Sequence, residues 1–176
     1  MSRFASRLGP VTVGLLVAAG LTVGATPVQA MPLPSGVSTT TAGAFRSPVA
    51  QEVALINADR KAAGLPALVE TAALDRIAND RAQDMVTNGY FGHYRPGHTT
   101  FAVLELLRAY RVPFIWYGEN IMRGSGPPES VPGPFNTWWM NDPPHRANLL
   151  NTRYRHIGIG VVVSGSTVTM VADFTD

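Results

Sequence analysis

Two segments near the end of the sequence, residues 157–163 and 168–174, limit the fold more than any other feature. In each segment apolar residues occupy every second position, and β-branched residues are frequent. The connecting residues, SGS, include a glycine, which favours a turn between paired strands. The pattern predicts a β-hairpin, and because a hairpin alone is only marginally stable, helices must cover its faces. Gly158 and Gly160 stand between the apolar residues of the first segment, where they would let one helix approach the sheet closely.

Three earlier segments have the pattern of helices. The first begins at Ser47 and Pro48, which are favoured at a helix start, and ends near Gly64. The second covers about 71–88, and its charged residues lie mostly opposite its apolar stripe. The stripe is Leu74, Ile77, Ala78, Ala82 and Met85, and the charged residues are Arg76, Asp80, Arg81 and Asp84. The third covers about 100–110. Helices followed by a terminal hairpin favour an α+β domain over alternating βαβ units.

The first thirty residues have the features of an export signal. Arg3 and Arg7 precede an apolar stretch, and the small residues of VQA suit signal peptidase. We therefore predict a secretory signal peptide over residues 1–30, cleaved after Ala30, and a secreted, extracellular protein. A retained membrane anchor is the alternative, but the apolar stretch is short for a span of ~20 residues and is interrupted by glycines.

The rest of the chain divides into a leader and one domain. Residues 31–47 are rich in Pro, Gly, Ser and Thr, which predicts a flexible leader. Residues 48–176 are numerous enough for one compact domain with a core. Four apolar residues from one aromatic-rich segment are predicted to belong to that core: Phe135, Trp138, Trp139 and Met140.

The charge balance and the lack of cysteine exclude several functions. The chain has 14 basic and 12 acidic residues, and loss of the predicted signal with Arg3 and Arg7 makes the two numbers equal. A nearly neutral protein has no basic field to attract nucleic acid. With no cysteine, the domain must be held by its core, and a thiol nucleophile or a cysteine-based metal site is excluded.

Three polar residues lie in apolar or conformationally fixed settings: His93 in GYFGHYRPG, Glu119 in WYGENIM and His145 in NDPPHRANLL. Because proline is tolerated in the first turn of a helix, the two prolines predict a helix start with Asp142 as the N-cap and His145 as the third helical residue. The helix dipole there favours the neutral imidazole. Glu119, among aromatic residues, must be paired or hydrogen-bonded.

The chain resembles the CAP superfamily, also called the SCP domain, in its short bacterial secreted form. The resemblance covers about residues 53–174 and rests on five motifs in the family's order and spacing: LINADRKAAGLPAL, YFGHYRPG, YGENIMRG, WMNDPPHRANLL and HIGIGVV. It implies a three-layer α-β-α sandwich, which agrees with the α+β prediction and its C-terminal hairpin. The proline-rich GPPESVPGP departs from the continuous helix that is usual in the family.

The resemblance also implies a cleft. His93 and His145 match the family's two cleft histidines, and Glu119 matches the acid of its G-E-N motif. The family's second acid often lies three residues after a helical tryptophan, which selects Asp142 when the count starts at Trp139 and Asn141 when it starts at Trp138. Asp142 as a helix cap only is the alternative. Two neutral imidazoles with water would form a site for a divalent cation, with zinc as the first candidate.

Two functions remain open. The first is a secreted, non-catalytic binding module for an apolar small molecule, a lipid or a protein partner at the cell envelope, with no nucleic acid and no stable membrane span after signal cleavage. The second is a metal-assisted, peptidase-like hydrolase that uses His93, His145 and Glu119, with Glu119 orienting a histidine or acting as a base. A purely structural role at the envelope is a third possibility. Since the sequence shows no activated nucleophile, we favour the binding module.

Overall fold

The computed structural model describes residues 46–176. The predicted signal peptide and nearly all of the predicted leader lie outside these residues. The helices are α1 Pro48–Ala62, α2 Ala72–Thr87, α3 Ala102–Ala109, α4 Pro132–Asn141 and α5 Pro143–Leu149, with a short 3-10 turn at Pro128–Ser130. The strands are β1 Val69–Glu70, β2 Tyr117–Ser125, β3 His156–Ser164 and β4 Thr167–Thr175.

The four strands form one sheet in the order β1-β3-β4-β2. β1 is parallel to β3, whereas β4 is antiparallel to both β3 and β2. The predicted hairpin is confirmed as β3 and β4, which pair along their full length from His156↔Thr175 to Ser164↔Thr167. Gly165 in the turn has a φ of 60°, a conformation that glycine adopts without strain.

Helices cover both faces of the sheet, which confirms the α+β class and the three-layer arrangement. On one face, buried residues of α1, α4 and α5 pack against alternate residues of β3 and β4: Ile56, Phe135, Trp139, Leu149, Ile157, Ile159, Met170 and Phe174. On the other face, α2 packs against β2 and β4 through Ala78, Ala82, Met85, Ile121 and Val171. α3 then packs on α2 through Val103 and Leu107. Because successive side chains of the hairpin point to opposite faces of the sheet, its strands contribute residues to a separate core on each face.

The two glycines of β3 bring α2 against the sheet, as the sequence predicts. A Cβ atom added to Gly158 would lie 2.1 Å from the carbonyl carbon of Leu74. One added to Gly160 would lie 2.2 Å from the carbonyl carbon of Ala78. Since real Cβ atoms do not approach the backbone this closely, only glycine permits the observed separation of helix and sheet.

The starts of α1 and α2 are as predicted, but two side-chain predictions are wrong. Ser47 caps α1 and Thr71 caps α2, each accepting a hydrogen bond from a backbone N–H three residues later. Arg81 does not lie on the solvent side of α2; it is fully buried. Trp138 is not a core residue but is 46% exposed, whereas its neighbour Trp139 is buried. Adjacent helical residues point about 100° apart, so only one of the two tryptophans can face the sheet.

A buried carboxyl group in α1 was not anticipated from the sequence. Glu52 is fully buried beside the apolar residues of this helix, and neither of its oxygens has a hydrogen-bond partner among the described protein groups. Burial, with a smaller contribution from the negative charge of Asp59, raises the pKa of Glu52 to about 8. The folded protein therefore favours a protonated Glu52 at neutral pH.

This protonation predicts a pH-dependent difference between the wild type and Glu52→Gln. The folded state holds a proton on Glu52 up to about pH 8, whereas the unfolded state releases it near its ordinary pKa. Between pH 5 and 7 the wild type should lose ~1 kcal/mol of unfolding free energy per pH unit relative to Glu52→Gln. Urea unfolding at several pH values measures this difference. Glu129→Gln, at an exposed glutamate, is the control; an equal slope in both variants would contradict the assignment.

Candidate functional site

A cavity of about 600 Å³ opens between the start of β2, the loop after α2 and the helix α5. Its walls are mainly aromatic and aliphatic, and its polar groups are few. The lining residues are His93, Phe101, Val103, Ile115, Trp116, Tyr117, Gly118, Glu119, Pro144 and Asn148. A concave, mostly apolar surface with a small number of polar groups is the usual form of a small-molecule site.

Glu119 forms the polar base of the cavity. It precedes Ile121 by two residues in β2 and so points to the face covered by α2. There, Arg81 Nε donates to Glu119 Oε2 at 2.8 Å, and His93 Nδ1 lies 2.8 Å from Glu119 Oε1. Both carboxylate oxygens are therefore occupied by protein donors. The Glu119 carboxylate is paired, as the sequence predicts. Its main partner is Arg81, and His93 is the second.

The guanidinium of Arg81 ties Glu119 to the loop that carries His93. Arg81 Nη1 donates to Tyr90 Oη at 2.8 Å, and Arg81 Nη2 donates to the backbone oxygen of Gly92 at 2.9 Å. Although burial alone lowers the pKa of Arg81, the charge and hydrogen bonds of Glu119 raise it overall. Arg81 therefore stays positively charged, and its ion pair with Glu119 is electrically neutral.

His93 lines the cavity and keeps one ring nitrogen outside its bond to Glu119. Because a carboxylate only accepts hydrogen bonds, Nδ1 carries the proton in the bond to Glu119, and in the neutral imidazole Nε2 remains an acceptor. The side chain is 35% exposed, and its ring packs edge-on against Phe101 at a centroid distance of 5.8 Å. Nε2 can therefore accept a hydrogen bond from a ligand or coordinate a cation.

Asp173 is a second acid beside Glu119 that the sequence analysis did not identify. It pairs in register with Glu119 across β4 and β2, so both side chains lie on the face covered by α2. It is fully buried, and neither oxygen has a partner among the described protein groups. Burial raises the pKa of Asp173 well above its ordinary value, the charge of Glu119 raises it further, and Arg81 only partly opposes this. The protonated form of Asp173 is thus favoured.

His145 occupies the start of α5, as predicted. Pro143 and Pro144 take the first two helical positions, and Asp142 stands at the N-cap position. The side chain of Asp142 caps no backbone N–H; instead its Oδ2 lies 2.5 Å from His145 Nδ1. The exposed ring of Trp138 packs edge-on against His145 at a centroid distance of 5.1 Å. Asp142 therefore occupies the N-cap position without a side-chain capping bond, and its carboxylate orients the imidazole instead.

The structure thus joins the four predicted residues as two pairs, His93 with Glu119 and Asp142 with His145. Two asparagines connect the elements that carry these pairs. Asn148 donates to the backbone oxygen of Glu119 at 3.3 Å and to Asn120 Oδ1 at 2.8 Å, and Asn120 donates to the backbone oxygen of His145 at 3.1 Å. The residues of α5 that line the cavity are Pro144 and Asn148. The convergence of both imidazoles on one ligand stays a prediction.

The family is decided by a match along most of the described chain. The model of the family described as CAP: Cysteine-rich secretory protein family matches residues 53–174. The chain belongs to the CAP family. Unlike the family's description, this CAP chain has no cysteine, so the two cores on either side of the sheet hold the domain together without disulfides.

Similar proteins are known from several bacteria. The uncharacterized protein YkwD of Bacillus subtilis (strain 168) is 37% identical over 117 residues, which are 66% of this chain and 43% of that protein. The structure of an extracellular protein containing a SCP domain from Bacillus anthracis is 29% identical, with a TM-score of 0.59, over 73% of this chain and 40% of that one. This CAP chain therefore spans less than half the length of either relative.

An outer surface protein from Borrelia burgdorferi has the same fold. It is 22% identical, with a TM-score of 0.62, and the match covers 70% of this chain and 88% of that one. At this identity the likeness bears on the fold alone. Among residues 46–176 of the CAP chain, none of the helices is both long and apolar enough to cross a membrane.

Proposed function

We propose that this CAP domain is a secreted, non-catalytic module that binds an apolar small molecule or lipid outside the cell. The observation that carries the proposal is the cavity of about 600 Å³, with its aromatic walls and its neutral Arg81–Glu119 base. The predicted signal peptide supports secretion, as does the similar Bacillus anthracis protein, which is described as extracellular.

The bonding of Glu119 disfavours its use as a general base. A general base must have a free lone pair directed at the proton that it removes. Here Arg81 holds one carboxylate oxygen at 2.8 Å, and His93 and Arg81 share the other at 2.8 and 3.4 Å. The carboxylate is therefore arranged to orient His93 and to offset the charge of Arg81. A hydrolase in which Glu119 acts as the base would have only the remaining lone pair of Oε2 to use, on a side chain that is 3% exposed.

The histidines are suited to hold a divalent cation, with zinc as the first candidate, as a part of this binding site. In both His93 and His145 a carboxylate engages Nδ1, which is the arrangement that orients Nε2 toward a metal. Among residues 46–176, no three His, Cys, Asp or Glu side chains are grouped to enclose a metal ion, so binding would depend on two imidazoles and be weak. A bound cation would supply a Lewis acid for an oxygen of the ligand.

Calorimetric titration with zinc distinguishes binding at His93 and His145 from binding elsewhere on the protein surface. We expect His93→Ala and His145→Ala each to weaken zinc uptake at least tenfold. His98→Ala is the matched control, because His98 also has Nδ1 beside a glutamate, Glu105, but its side chain is half exposed and it is not one of the two histidines of the proposed site. Zinc binding that weakens equally in all three variants, or in none of them, would contradict the two-histidine site.

The binding of a neutral apolar probe tests the cavity itself. We expect the fluorescent probe N-phenyl-1-naphthylamine to bind the protein, and Trp116→Ala to raise its dissociation constant at least fivefold. Phe91→Ala should leave it within twofold. The two rings are matched, since they are 46% and 47% exposed and each lies under an arginine, Arg153 or Arg123, but only Trp116 lines the cavity. Equal losses in both variants would contradict the proposal.

A further inference from the structure

The rim of the cavity is apolar and exposed, and it is not held by burial. Ile115 is 78% exposed and Trp116 is 46% exposed, yet both line the cavity. They precede β2, whose pairing with β4 starts at Tyr117↔Thr175. Since exposed side chains gain little from the core, the position of this segment must depend on polar contacts.

Asp176 supplies those contacts. Its Oδ1 accepts hydrogen bonds from the backbone N–H groups of both Ile115, at 2.7 Å, and Trp116, at 2.8 Å. Its own backbone N–H donates to the backbone oxygen of Trp116 at 3.3 Å. One side chain thus continues the β2–β4 pairing past its last residue pair and fixes two successive peptide groups of the rim.

Two further contacts hold this arrangement from either side. His156 Nδ1 lies 2.9 Å from the backbone oxygen of Asp176, which fastens Asp176 to the start of β3. The guanidinium of Arg153 lies over the ring of Trp116 at 3.9 Å, a cation–π contact. The bonds from Trp116 and Ile115 also lower the pKa of Asp176, because they favour its ionised form. Charge-assisted bonds of this kind are stronger than neutral ones.

We propose that Asp176 is a positioning residue of the ligand cavity, and that it acts by fixing the main chain of Ile115 and Trp116 so that their side chains form the rim. The proposal rests on the proposed function, because it assumes that the cavity is where the ligand binds. Its alternative is that Asp176 only fastens the edge of the sheet, in which case its loss would lower stability without affecting the ligand.

A double-mutant cycle, read out by the binding of N-phenyl-1-naphthylamine, distinguishes a role of Asp176 in ligand binding from a role in stability alone. We expect Asp176→Ala to raise the dissociation constant about fivefold, and Asp176→Asn, which keeps an Oδ1 acceptor, to stay within twofold. In a Trp116→Ala background, Asp176→Ala should cause a smaller loss than in the wild type, because only Ile115 remains of the two rim side chains that it positions. Amide hydrogen exchange at Ile115 and Trp116 should quicken about tenfold in Asp176→Ala and stay near wild type in Asp176→Asn.

Asp75→Ala is the matched control for stability. Asp75 Oδ1 also accepts a backbone hydrogen bond, from Ile159 at 3.0 Å, but it does not line the cavity. Loss of the Asp75 carboxyl group should lower the melting temperature without weakening the binding of the probe. Weaker binding in Trp116→Ala but not in Asp176→Ala, or a full additional loss in the double variant, would overturn the role of Asp176. Unchanged binding in Trp116→Ala would overturn the proposed function and the inference with it.

Discussion

The Gly160→Ala variant is expected to lose about 3 kcal/mol or more of unfolding free energy. The added methyl group would lie 2.2 Å from the carbonyl carbon and 2.3 Å from the carbonyl oxygen of Ala78. These are backbone atoms in the middle of α2, so no side-chain rotation can relieve the overlap. Either α2 must move away from the sheet, which opens the core around Ala82 and Val171, or β3 must bend away from β4. Both changes weaken packing that the close approach makes possible.

Gly133→Ala is the matched control for this prediction. Gly133 lies in α4, and a Cβ atom added to it would meet nothing within 4 Å. Alanine in a helix is preferred to glycine by up to ~1 kcal/mol, so this variant should be unchanged or slightly more stable. Urea unfolding monitored by circular dichroism measures both variants. A Gly160→Ala protein within 1 kcal/mol of the wild type would mean that α2 does not contact β3 as closely as described.

Replacing Arg81 with methionine is expected to cost about 3–5 kcal/mol, since removal of one member of a buried ion pair leaves the other charge uncompensated. Methionine approximates the length of the arginine side chain but not its charge or its donors. Glu119 would lose its cation, and the backbone oxygen of Gly92 would lose its donor. Asp173, on the same face, favours its protonated form and supplies no positive charge in place of Arg81. The loop that carries His93 should also lose its anchor.

Arg95→Met shows what an exposed ion pair contributes. Arg95 bonds to Asp84 and Glu105 but remains partly exposed, and exposed pairs are worth ~1 kcal/mol or less. We expect its loss to be several-fold smaller than that of Arg81→Met. The double variant Arg81→Met/Glu119→Gln should be more stable than Arg81→Met alone, because the uncompensated charge is gone. Equal losses in Arg81→Met and Arg95→Met would contradict the assignment of a buried ion pair between Arg81 and Glu119 at the bottom of the cavity.

The features that were predictable from the sequence are those that depend on local pattern. Alternation in residues 157–163 and 168–174 located both strands of the hairpin, and Ser47, Thr71 and the two prolines before His145 located three helix starts. In each case, the residues that decide the conformation are adjacent or a few positions apart. The glycines of β3 were informative for the same reason, because their spacing matches one face of a strand.

Features that depend on contacts between distant segments were not predictable. β2 was missed because YGENIMRGS mixes glycine and charge with apolar residues. The pattern of α2 placed Arg81 on the solvent face, because a charged residue is usually exposed unless it has a buried partner. That partner, Glu119, lies 38 positions away along the chain. A signal for Asp173 did exist: it stands on the same strand face as Val171, which the glycines of the neighbouring strand predict to be covered by a helix. A carboxyl group at such a position must be buried, and a buried acid is a candidate for the functional site.

The resemblance to the CAP superfamily identified the family correctly, and the structure brings His93 against Glu119 and His145 against Asp142. Their roles in binding stay predictions. What the resemblance did not provide is the rim, because Ile115, Trp116 and Asp176 lie outside the polar residues that the family's motifs select. Their arrangement depends on the way Asp176 continues the pairing of β2 with β4.

Chemical-shift mapping of bound N-phenyl-1-naphthylamine tests most directly whether the aromatic cavity is the binding site. In spectra of the ¹⁵N-labelled protein, the probe should shift the amides of His93, Trp116, Gly118 and Asn148 most strongly. The amides of Thr71, Tyr110 and Val112, which line a separate cavity of about 350 Å³, should move little. The largest shifts at that second cavity, or shifts scattered over the surface, would contradict the account.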